Sequence, residues 1–233
     1  MSTQNTQIDE MFQAGAHYGY SKSRRHPSTT PYIFGTKNGV DIINIEKTEE
    51  LFNKAVEQIK QYAATGKVVL FVGTKPEARQ QIVETALALN MPYVNERWVG
   101  GILTNFHEIK KRITKLLDLR EQKEKGGLDK YTKKERLLID REMEKMTKNF
   151  QGVSGITKVP DVMFVIDPKK EHIAVTEALK MNIPVIALLN TDCNLKQVTF
   201  PIIGNDASVS SISFFLDKIK KSYESGAKGT ETK

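Results

Sequence analysis

Apolar runs alternate with amphipathic stretches along most of the chain. Five short runs predict strands, namely VDIINI (40–45), VVLFVG (68–73), PYVN (92–95), VMFVID (162–167) and PVIALLN (184–190). Continuous apolar runs of this length are typical of strands buried on both faces of a parallel sheet. Between the runs, apolar residues recur on one helical face, so strands and helices alternate. This order predicts an α/β fold: a doubly wound, Rossmann- or flavodoxin-like parallel sheet of about five strands with helices on both faces.

Local signals indicate where two of the helices begin. Thr74 and Glu77 match the T-x-x-E capping box, in which each side chain bonds the backbone of the other residue. Asp167 is expected to cap a helix that has Pro168 at its first position. Two helices are therefore predicted to start directly where a strand ends, and a last helix is predicted over residues 207–223.

Residues 105–150 break the alternation because they contain no strand pattern. Two narrow apolar stripes run along charged helical segments, the first formed by Ile109, Ile113, Leu116 and Leu117 and the second by Ile139, Met143, Met146 and Phe150. Gly126 and Gly127 separate the segments, and Thr132 with Glu135 forms a capping box at the start of the second. This pattern predicts an antiparallel, coiled-coil helical hairpin inserted into the sandwich.

The predicted domain organisation follows from this insertion. Residues 1–104 and 151–224 form the α/β sandwich, which includes an N-terminal arm over residues 1–37, and residues 105–150 form the hairpin. The tail, SGAKGTETK (225–233), is small and polar and is predicted to be disordered.

The composition is that of a soluble globular protein. The chain has 233 residues, of which 39% are hydrophobic and 27% charged, and no apolar run approaches the roughly 20 residues of a membrane helix. The N-terminus has neither the basic start nor the apolar core of an export signal. Cys193 is the only cysteine, which excludes an internal disulfide and a cysteine-based zinc site. The expected location is the cytoplasm, with no membrane partner.

Positive charge is concentrated in two segments. The net charge is +7, and residues 108–148 contain 14 Lys or Arg against 9 Asp or Glu. Residues 20–37 contain no acid, and their cations are Lys22, Arg24, Arg25 and Lys37. An excess of this size suits a polyanionic partner, although it is also common in ordinary soluble proteins.

The motifs of enzymes on this kind of sheet are missing. The turn FVGTKPEARQ has one glycine, and neither G-x-G-x-x-G nor G-x-x-x-x-G-K-[ST] occurs in the chain. Lys75, at a helix start, is interpreted either as part of a structural cap or as a phosphate contact. No catalytic residue, cofactor or metal is predicted.

Residues with catalytic or metal-binding chemistry also have simpler interpretations. The histidines are His17, His26, His107 and His172, and none lies near Cys193 in sequence, so a packed or idle thiol is expected. Asp192, Asn205 and Asp206 follow strands, where they would serve as turn and cap residues or hold a hard cation.

The basic segment at residues 20–37 has a composition that suits RNA. Aromatic residues are interleaved with its cations and prolines 27 and 31 keep it irregular; the aromatics are Tyr18, Tyr20, Tyr32 and Phe34. Phosphates supply affinity to such a segment, and unstacked bases accept stacking. The alternative is a solvated loop whose aromatic side chains belong to the core.

Six ordered blocks resemble one bacterial family. They are FQAGAHYGY, PYIFGTKNGVDIINIEKT, LFVGTK, YVNERWVGGILTNF, VPDVMFVIDPKKEHIAVTEA and IPVIALLNTDC with PIIGNDA. Over residues 12–216 the chain is similar to the family of the small-subunit ribosomal protein called S-two.

The resemblance implies a structural component of the small ribosomal subunit with no catalysis. Members of the family have a doubly wound sheet with an inserted coiled-coil hairpin, bind small-subunit ribosomal RNA between head and body, and join late in assembly. They contact neighbouring small-subunit proteins and help to dock protein S-one, which captures messenger RNA. This chain departs from the family at Tyr20 and Glu96, where histidine is usual, and at Ala207, where a second aspartate is usual.

Taken together, the charge pattern and the resemblance predict RNA contacts by eight cations: Lys22, Arg24, Arg25, Lys37, Lys75, Arg97, Lys110 and Lys111. Arg24 and Arg25 are expected to face outward without an acidic partner. Trp98 is expected at the root of the hairpin, and Arg97 either reaches a phosphate or pairs with Glu96 or another acid. The rival functions are a nucleotide-dependent enzyme and an adaptor that binds another protein through its hairpin.

Overall fold

A computed structural model describes residues 3–128 and 131–228. The helices are α1 (Thr3–Gln13), α2 (Ile45–Ala64), α3 (Pro76–Ala88), α4 (Phe106–Glu124), α5 (Lys133–Phe150), α6 (His172–Lys180) and α7 (Val209–Lys228). The strands are β1 (Tyr18–Ser21), β2 (Ile33–Lys37), β3 (Val40–Ile43), β4 (Val69–Val72), β5 (Tyr93–Val94), β6 (Val162–Ile166), β7 (Val185–Leu189) and β8 (Phe200–Ile203). In the described ranges, none of the helices is both long and apolar enough to cross a membrane.

The main sheet contains five parallel strands in the order β5-β4-β6-β7-β8. Every residue of β4, β6 and β7 is buried, as their continuous apolar runs predict. One core cluster joins a face of the sheet to α2, α3 and α7, and a second joins the opposite face to α6 and the base of the hairpin. The predicted doubly wound α/β fold with an inserted hairpin is therefore confirmed.

The membership of the parallel sheet differs from the prediction at one strand. VDIINI forms β3, which is the centre of a second, antiparallel sheet in the order β1-β3-β2. Asn38 and Gly39 join β2 to β3 with positive φ angles of 52° and 79°, the Asn-Gly signature of a tight hairpin. The fifth parallel strand is instead β8, whose Pro201 is tolerated because β8 is an edge strand.

Neither predicted helix cap forms, although α3 begins at Pro76, as its sequence predicts. Thr74 does not cap α3, because its hydroxyl and backbone N–H both donate to the buried carboxylate of Glu171. Asp167 has a φ of 61° and accepts hydrogen bonds from two backbone N–H groups in a turn, so α6 begins only at His172. For Thr74, a side chain from another loop takes the groups that a cap would have used, whereas Asp167 caps a turn that precedes α6.

The last helix extends beyond its predicted end. α7 continues to residue 228, so residues 225–228 of the predicted disordered tail are helical, and residues 229–233 lie outside the described range. A Cβ added at Gly226 would lie 2.6 Å from the carbonyl oxygen of Lys60, which shows how closely α7 approaches α2. The Tyr223 hydroxyl also donates to the Lys67 carbonyl at 3.0 Å. Packing against α2 therefore supports a sequence that has little helical signal of its own.

The hairpin forms as its sequence predicts. Thr132 and Glu135 make the capping box of α5, and Gly126 ends the first helix with a φ of 71°. The base of the hairpin belongs to the second core cluster through Ile109, Ile113 and Phe150. Leu117, which was assigned to the apolar stripe, is instead 49% exposed. The hairpin thus grows out of the core and becomes more solvent-exposed towards its tip.

Candidate nucleic-acid interface

The N-terminal arm lies across the carboxyl ends of the parallel strands. Thr191, which follows β7, accepts hydrogen bonds on its hydroxyl from the Tyr20 N–H (3.0 Å) and on its carbonyl from the His26 N–H (2.8 Å). A Cβ added at Gly19 would lie 2.8 Å from the Thr191 methyl group, so the two chain segments are in close contact. In doubly wound folds, ligands bind outside the carboxyl ends of the strands. Here the arm covers a large part of that edge.

Lys75 fills the space beneath the arm. Its ammonium lies 2.6 Å from a carboxylate oxygen of Asp167 and 2.7 Å from one of Asp206, and its side chain is 12% exposed. Burial alone would lower the pKa of Lys75, but the two carboxylates outweigh it and raise that pKa. The Tyr20 hydroxyl lies 3.3 Å from the same ammonium. The charge of Lys75 is therefore neutralised inside the protein, where it holds three loops together.

Arg25 is paired, contrary to the expectation that it faces outward without an acid. Its guanidinium binds both carboxylate oxygens of Asp41, at 2.8 and 2.5 Å, and the Asp41 side chain has no exposure. The hydrogen bonds from Arg25 hold the pKa of Asp41 below its ordinary value. Asp41 lies just outside the acid-free segment in sequence, and the pairing of β2 with β3 brings it beneath Arg25. Arg25 thus serves the fold.

The other three cations of the basic segment are exposed. Lys22, Arg24 and Lys37 have no side-chain hydrogen bond or ion pair in the part of the chain that the structure describes. The Arg24 guanidinium lies over the ring of Tyr20, 5.7 Å from its centroid. Phe34, on the neighbouring β2, is 80% exposed. The basic segment therefore presents three unpaired cations and, on β2, an exposed aromatic ring.

A buried carboxylate organises the junction between sheet and hairpin. Glu177, on α6, accepts hydrogen bonds from the Trp98 indole (3.1 Å) and from the backbone N–H groups of Gly101 (2.8 Å) and Leu103 (3.1 Å). Burial alone would raise the pKa of Glu177, but these hydrogen bonds lower it overall. Trp98 is 6% exposed and packs in the second core cluster, at the root of the hairpin as predicted. The sequence gives no signal for Glu177, because its partners lie more than 70 residues away.

The remaining predicted contacts lie on the hairpin and its junction. Arg97 is exposed and has no ion pair among the described residues. Glu96, the acid that was considered as its partner, pairs instead with Arg79 at 3.1 Å and Lys148 at 3.6 Å. Lys110 is exposed, and Lys111 is exposed but paired with Glu108 at 2.7 Å. Of the eight predicted cations, the structure therefore removes Lys75 and Arg25 from the accessible set.

Comparison with known proteins identifies the family. Residues 11–226 match the sequence model of the family described as Ribosomal protein S2, also called S-two. The chain belongs to the ribosomal protein S2 family. It is 44% identical over 212 residues to the small ribosomal subunit protein uS2 of Dictyoglomus turgidum, a match that covers 91% of this chain and 86% of that protein. It is 39% identical over 229 residues to uS2 of Geotalea uraniireducens, covering 98% of this chain and 90% of that protein.

Proteins of the S2 family are structural constituents of the ribosome and have no enzymatic activity. The nucleotide-dependent enzyme that was considered as a rival is therefore excluded by family membership. The edge where such an enzyme would bind its ligand is held together in this S2 protein by the Lys75 ammonium and covered by the arm. Tyr20 takes part in this arrangement through its contact with Lys75.

The reactive side chains of this S2 protein have structural surroundings. Cys193 is buried, and burial raises the pKa of its thiol, so a packed thiol is the correct interpretation. Asp192 pairs with Lys169 at 2.9 Å, and Asn205 donates to the Gly15 carbonyl at 3.1 Å. Within residues 3–128 and 131–228, no three histidine, cysteine, aspartate or glutamate side chains come together as a set of metal ligands.

Proposed function

We propose that this protein binds small-subunit ribosomal RNA between the head and body of the subunit and supports its assembly in the cytoplasm. The observation that carries the proposal is the match to the ribosomal protein S2 family over residues 11–226. Its relatives in Dictyoglomus turgidum and Geotalea uraniireducens are named as small ribosomal subunit proteins. The exposed cations of the S2 chain supply a chemistry that fits such a partner.

Two surfaces support RNA binding. The first is the basic segment of residues 20–37, where Lys22, Arg24 and Lys37 are exposed and unpaired and Phe34 is exposed on β2. Cations of this kind bind phosphates without reading sequence, and an exposed ring accepts an unstacked base. The second surface is the hairpin and its junction, with Arg97, Lys110 and Lys111. Lys75 and Arg25 are left out of the proposal because their charges are neutralised internally.

An exposed aromatic patch within the arm supports contact with another protein. The rings of Phe12 and His17 stack with centroids 4.3 Å apart, and the Tyr18 ring is tilted against His17 at a centroid distance of 4.0 Å. Phe12 and Tyr18 remain 59% and 52% exposed. We assign this patch to neighbouring small-subunit proteins, including S-one where that protein is present. The hairpin adaptor considered from the sequence has no comparable aromatic surface in the described residues.

Sedimentation of a native lysate tests the proposal. A tagged copy of the full chain should travel with small ribosomal subunits, and high salt should release it because phosphate contacts depend steeply on ionic strength. The variant Lys22→Gln/Arg24→Gln/Lys37→Gln should keep the thermal midpoint of the wild type and be recovered in subunits at a lower level. Wild-type protein that stays in the soluble fraction would refute the proposal.

A further inference from the structure

A cleft with a volume of about 570 Å³ lies at the base of the hairpin. Residues 97–100 form one wall, and the facing sides of α4 and α5 form the other. Its charged side chains are four cations and one carboxylate: Arg97, Arg112, Lys115, Lys145 and Glu142. The cleft therefore carries an excess of positive charge.

This charge is not neutralised by the surrounding protein. Glu142 forms an ion pair with Lys115 at 2.7 Å. The other three cations, Arg97, Arg112 and Lys145, form no hydrogen bond or ion pair within the described part of the chain. Two acids outside the cleft that lie close to Arg112 and Arg97 in sequence are already paired with other cations. Glu108, one turn before Arg112, pairs with Lys111 at 2.7 Å, and the carboxylate next to Arg97 in sequence binds two other cations.

The floor of the cleft decides which part of a nucleic acid it suits. Trp98 and Phe150 line it but are only 6% and 3% exposed, so their ring faces are packed in the core and offer no stacking surface for a base. Val99 and Met146 complete an apolar floor. Such a floor lowers the local dielectric and strengthens the attraction of the cations for an anion. The cleft therefore suits phosphate groups rather than bases.

The cations stand on a preorganised support. The segment that carries Arg97 is fixed by Glu177, which accepts from the Trp98 indole at 3.1 Å and from the Gly101 N–H at 2.8 Å. Arg112 and Lys145 project from helices whose bases belong to the second core cluster. A site that is rigid before binding loses less entropy when its partner arrives.

We propose that this cleft binds backbone phosphates of small-subunit RNA through Arg97, Arg112 and Lys145. The inference rests on the proposed function and adds a phosphate-binding site that includes two residues, Arg112 and Lys145, absent from the contacts predicted from sequence. Asn149, which also lines the cleft, supplies an amide donor beside the three cations. The site recognises shape and charge and has no base preference of its own.

The test compares two variants that lose the same charge. Arg97→Gln/Arg112→Gln/Lys145→Gln removes the cleft cations, and Lys54→Gln/Lys60→Gln/Lys221→Gln removes three exposed cations from α2 and α7, on the opposite layer of the sandwich. Binding of each full-length protein to small subunits that lack this chain is measured from low to moderate salt. Each lost phosphate contact should reduce the log–log salt slope by roughly 0.7 to 0.9. We expect a slope lower by about two and an affinity at least about tenfold weaker for the cleft variant alone.

Each outcome bears on a different statement. If the cleft variant binds with the same salt slope and affinity as the wild type, the cleft does not bind phosphates. The proposed function would then remain intact. Equal losses in both variants would also overturn the cleft, since only net charge would then matter. Wild-type protein that does not bind the subunits would refute the proposed function itself, and the cleft with it.

Further variants guard against an effect on folding. The three cations are exposed, so the thermal midpoint of the cleft variant should match that of the wild type. Arg97→Lys/Arg112→Lys keeps the charge and should keep most of the salt slope. The single change Lys145→Gln should reduce the slope by about one. The proposal would be contradicted if Arg97→Lys/Arg112→Lys lost the salt slope while Lys145→Gln left that slope unchanged.

Discussion

The carboxyl edge of the sheet and the base of the hairpin both carry cations, but they use them in opposite ways. At the edge, Lys75 is half-buried against Asp167 and Asp206, and in the arm that covers the edge Arg25 is half-buried against Asp41. At the hairpin base, the unpaired cations face an open cleft whose only carboxylate is already paired. The role of a cation therefore depends less on its local sequence than on whether the fold brings a carboxylate to it from a distant part of the chain.

This contrast separates stability from binding. Removing an edge cation leaves a buried carboxylate without a partner, which destabilises the fold. Removing a cleft cation leaves no buried carboxylate without a partner. The free energy of unfolding should therefore stay the same, while binding to the small subunit weakens.

The largest effect is expected for Lys75→Met. The substitution keeps most of the side-chain volume but leaves Asp167 and Asp206 close together without the ammonium between them. Breaking a buried pair in this way should cost about 4 kcal/mol, or roughly 10 °C in the thermal midpoint for a chain of this size. Lys145→Met is the matched control and should leave the midpoint unchanged. Equal midpoints for the two variants would show that the edge cation is not structural.

A smaller loss is expected for Glu177→Gln. The amide has only one acceptor oxygen, so several of the N–H groups that now bind the carboxylate lose their partner. Removing acceptors from buried donors should cost about 3 kcal/mol near neutral pH, as measured by denaturant unfolding. Gln in place of the exposed Glu144 is the control and should have no measurable effect.

The same variant has a pH signature. The folded-state pKa of Glu177 lies below its ordinary value of 4.5, so its stabilisation is fully present above about pH 4.5. That stabilisation is lost as the pH falls through the folded-state pKa. The stability difference between the wild type and Glu177→Gln should therefore shrink below pH 4.5. A difference that stays constant down to pH 3 would show that the ionised carboxylate is not what holds the junction.

Arg24 and Arg25 are adjacent in sequence but have different roles: Arg25 stabilises the fold, and Arg24 is available for binding. Arg25→Ala strands the fully buried Asp41 carboxylate and should cost about 2 kcal/mol. Arg24→Ala removes an exposed side chain that lies over Tyr20, so it should leave thermal unfolding almost unchanged and lower the fraction of protein recovered in small subunits. Similar midpoints for the two variants, each compared with the wild type, would contradict the assignment.

The sequence predicts the fold well because its signals are local. Fully buried strands such as β4 appear as continuous apolar runs, and the capping box at Thr132 and Glu135 forms as expected. The Asn-Gly pair at residues 38 and 39 was also a local signal for a hairpin, but the apolar run of β3 was interpreted as a parallel strand. β8 was missed because Pro201 interrupts a short run that only an edge position accommodates.

The site could be predicted only in part, because its decisive contacts are non-local. Asp206 lies 131 positions from Lys75 in sequence, and Glu171 lies 97 positions from Thr74. Composition identifies the two basic segments but cannot tell which of their cations find a carboxylate. The cleft was not predicted because its contacts are also non-local: it combines residues 97–100 with residues from α4 and α5.

The smallest effect is expected when the hairpin is shortened at its tip. Replacing residues 119–141 by a short Gly/Ser linker keeps the buried side chains of the base, namely Ile109, Ile113, Leu116, Met143 and Phe150. The deleted part removes exposed ion pairs such as Lys123 with Asp140, which contribute little. Unfolding should stay cooperative, with a stability loss within about 1 kcal/mol.

The shortened protein also sharpens the comparison between the two regions, because Arg97, Arg112 and Lys145 all remain in place around the cleft. Its salt slope for binding small subunits should therefore stay close to that of the wild type, whereas the cleft variant loses part of that slope. Thermal unfolding and the binding series together give the answer. A broad, non-cooperative transition would mean that the tip supports the core. A cooperative transition with a lost slope would mean that the RNA contacts lie beyond the cleft, towards the tip of the hairpin.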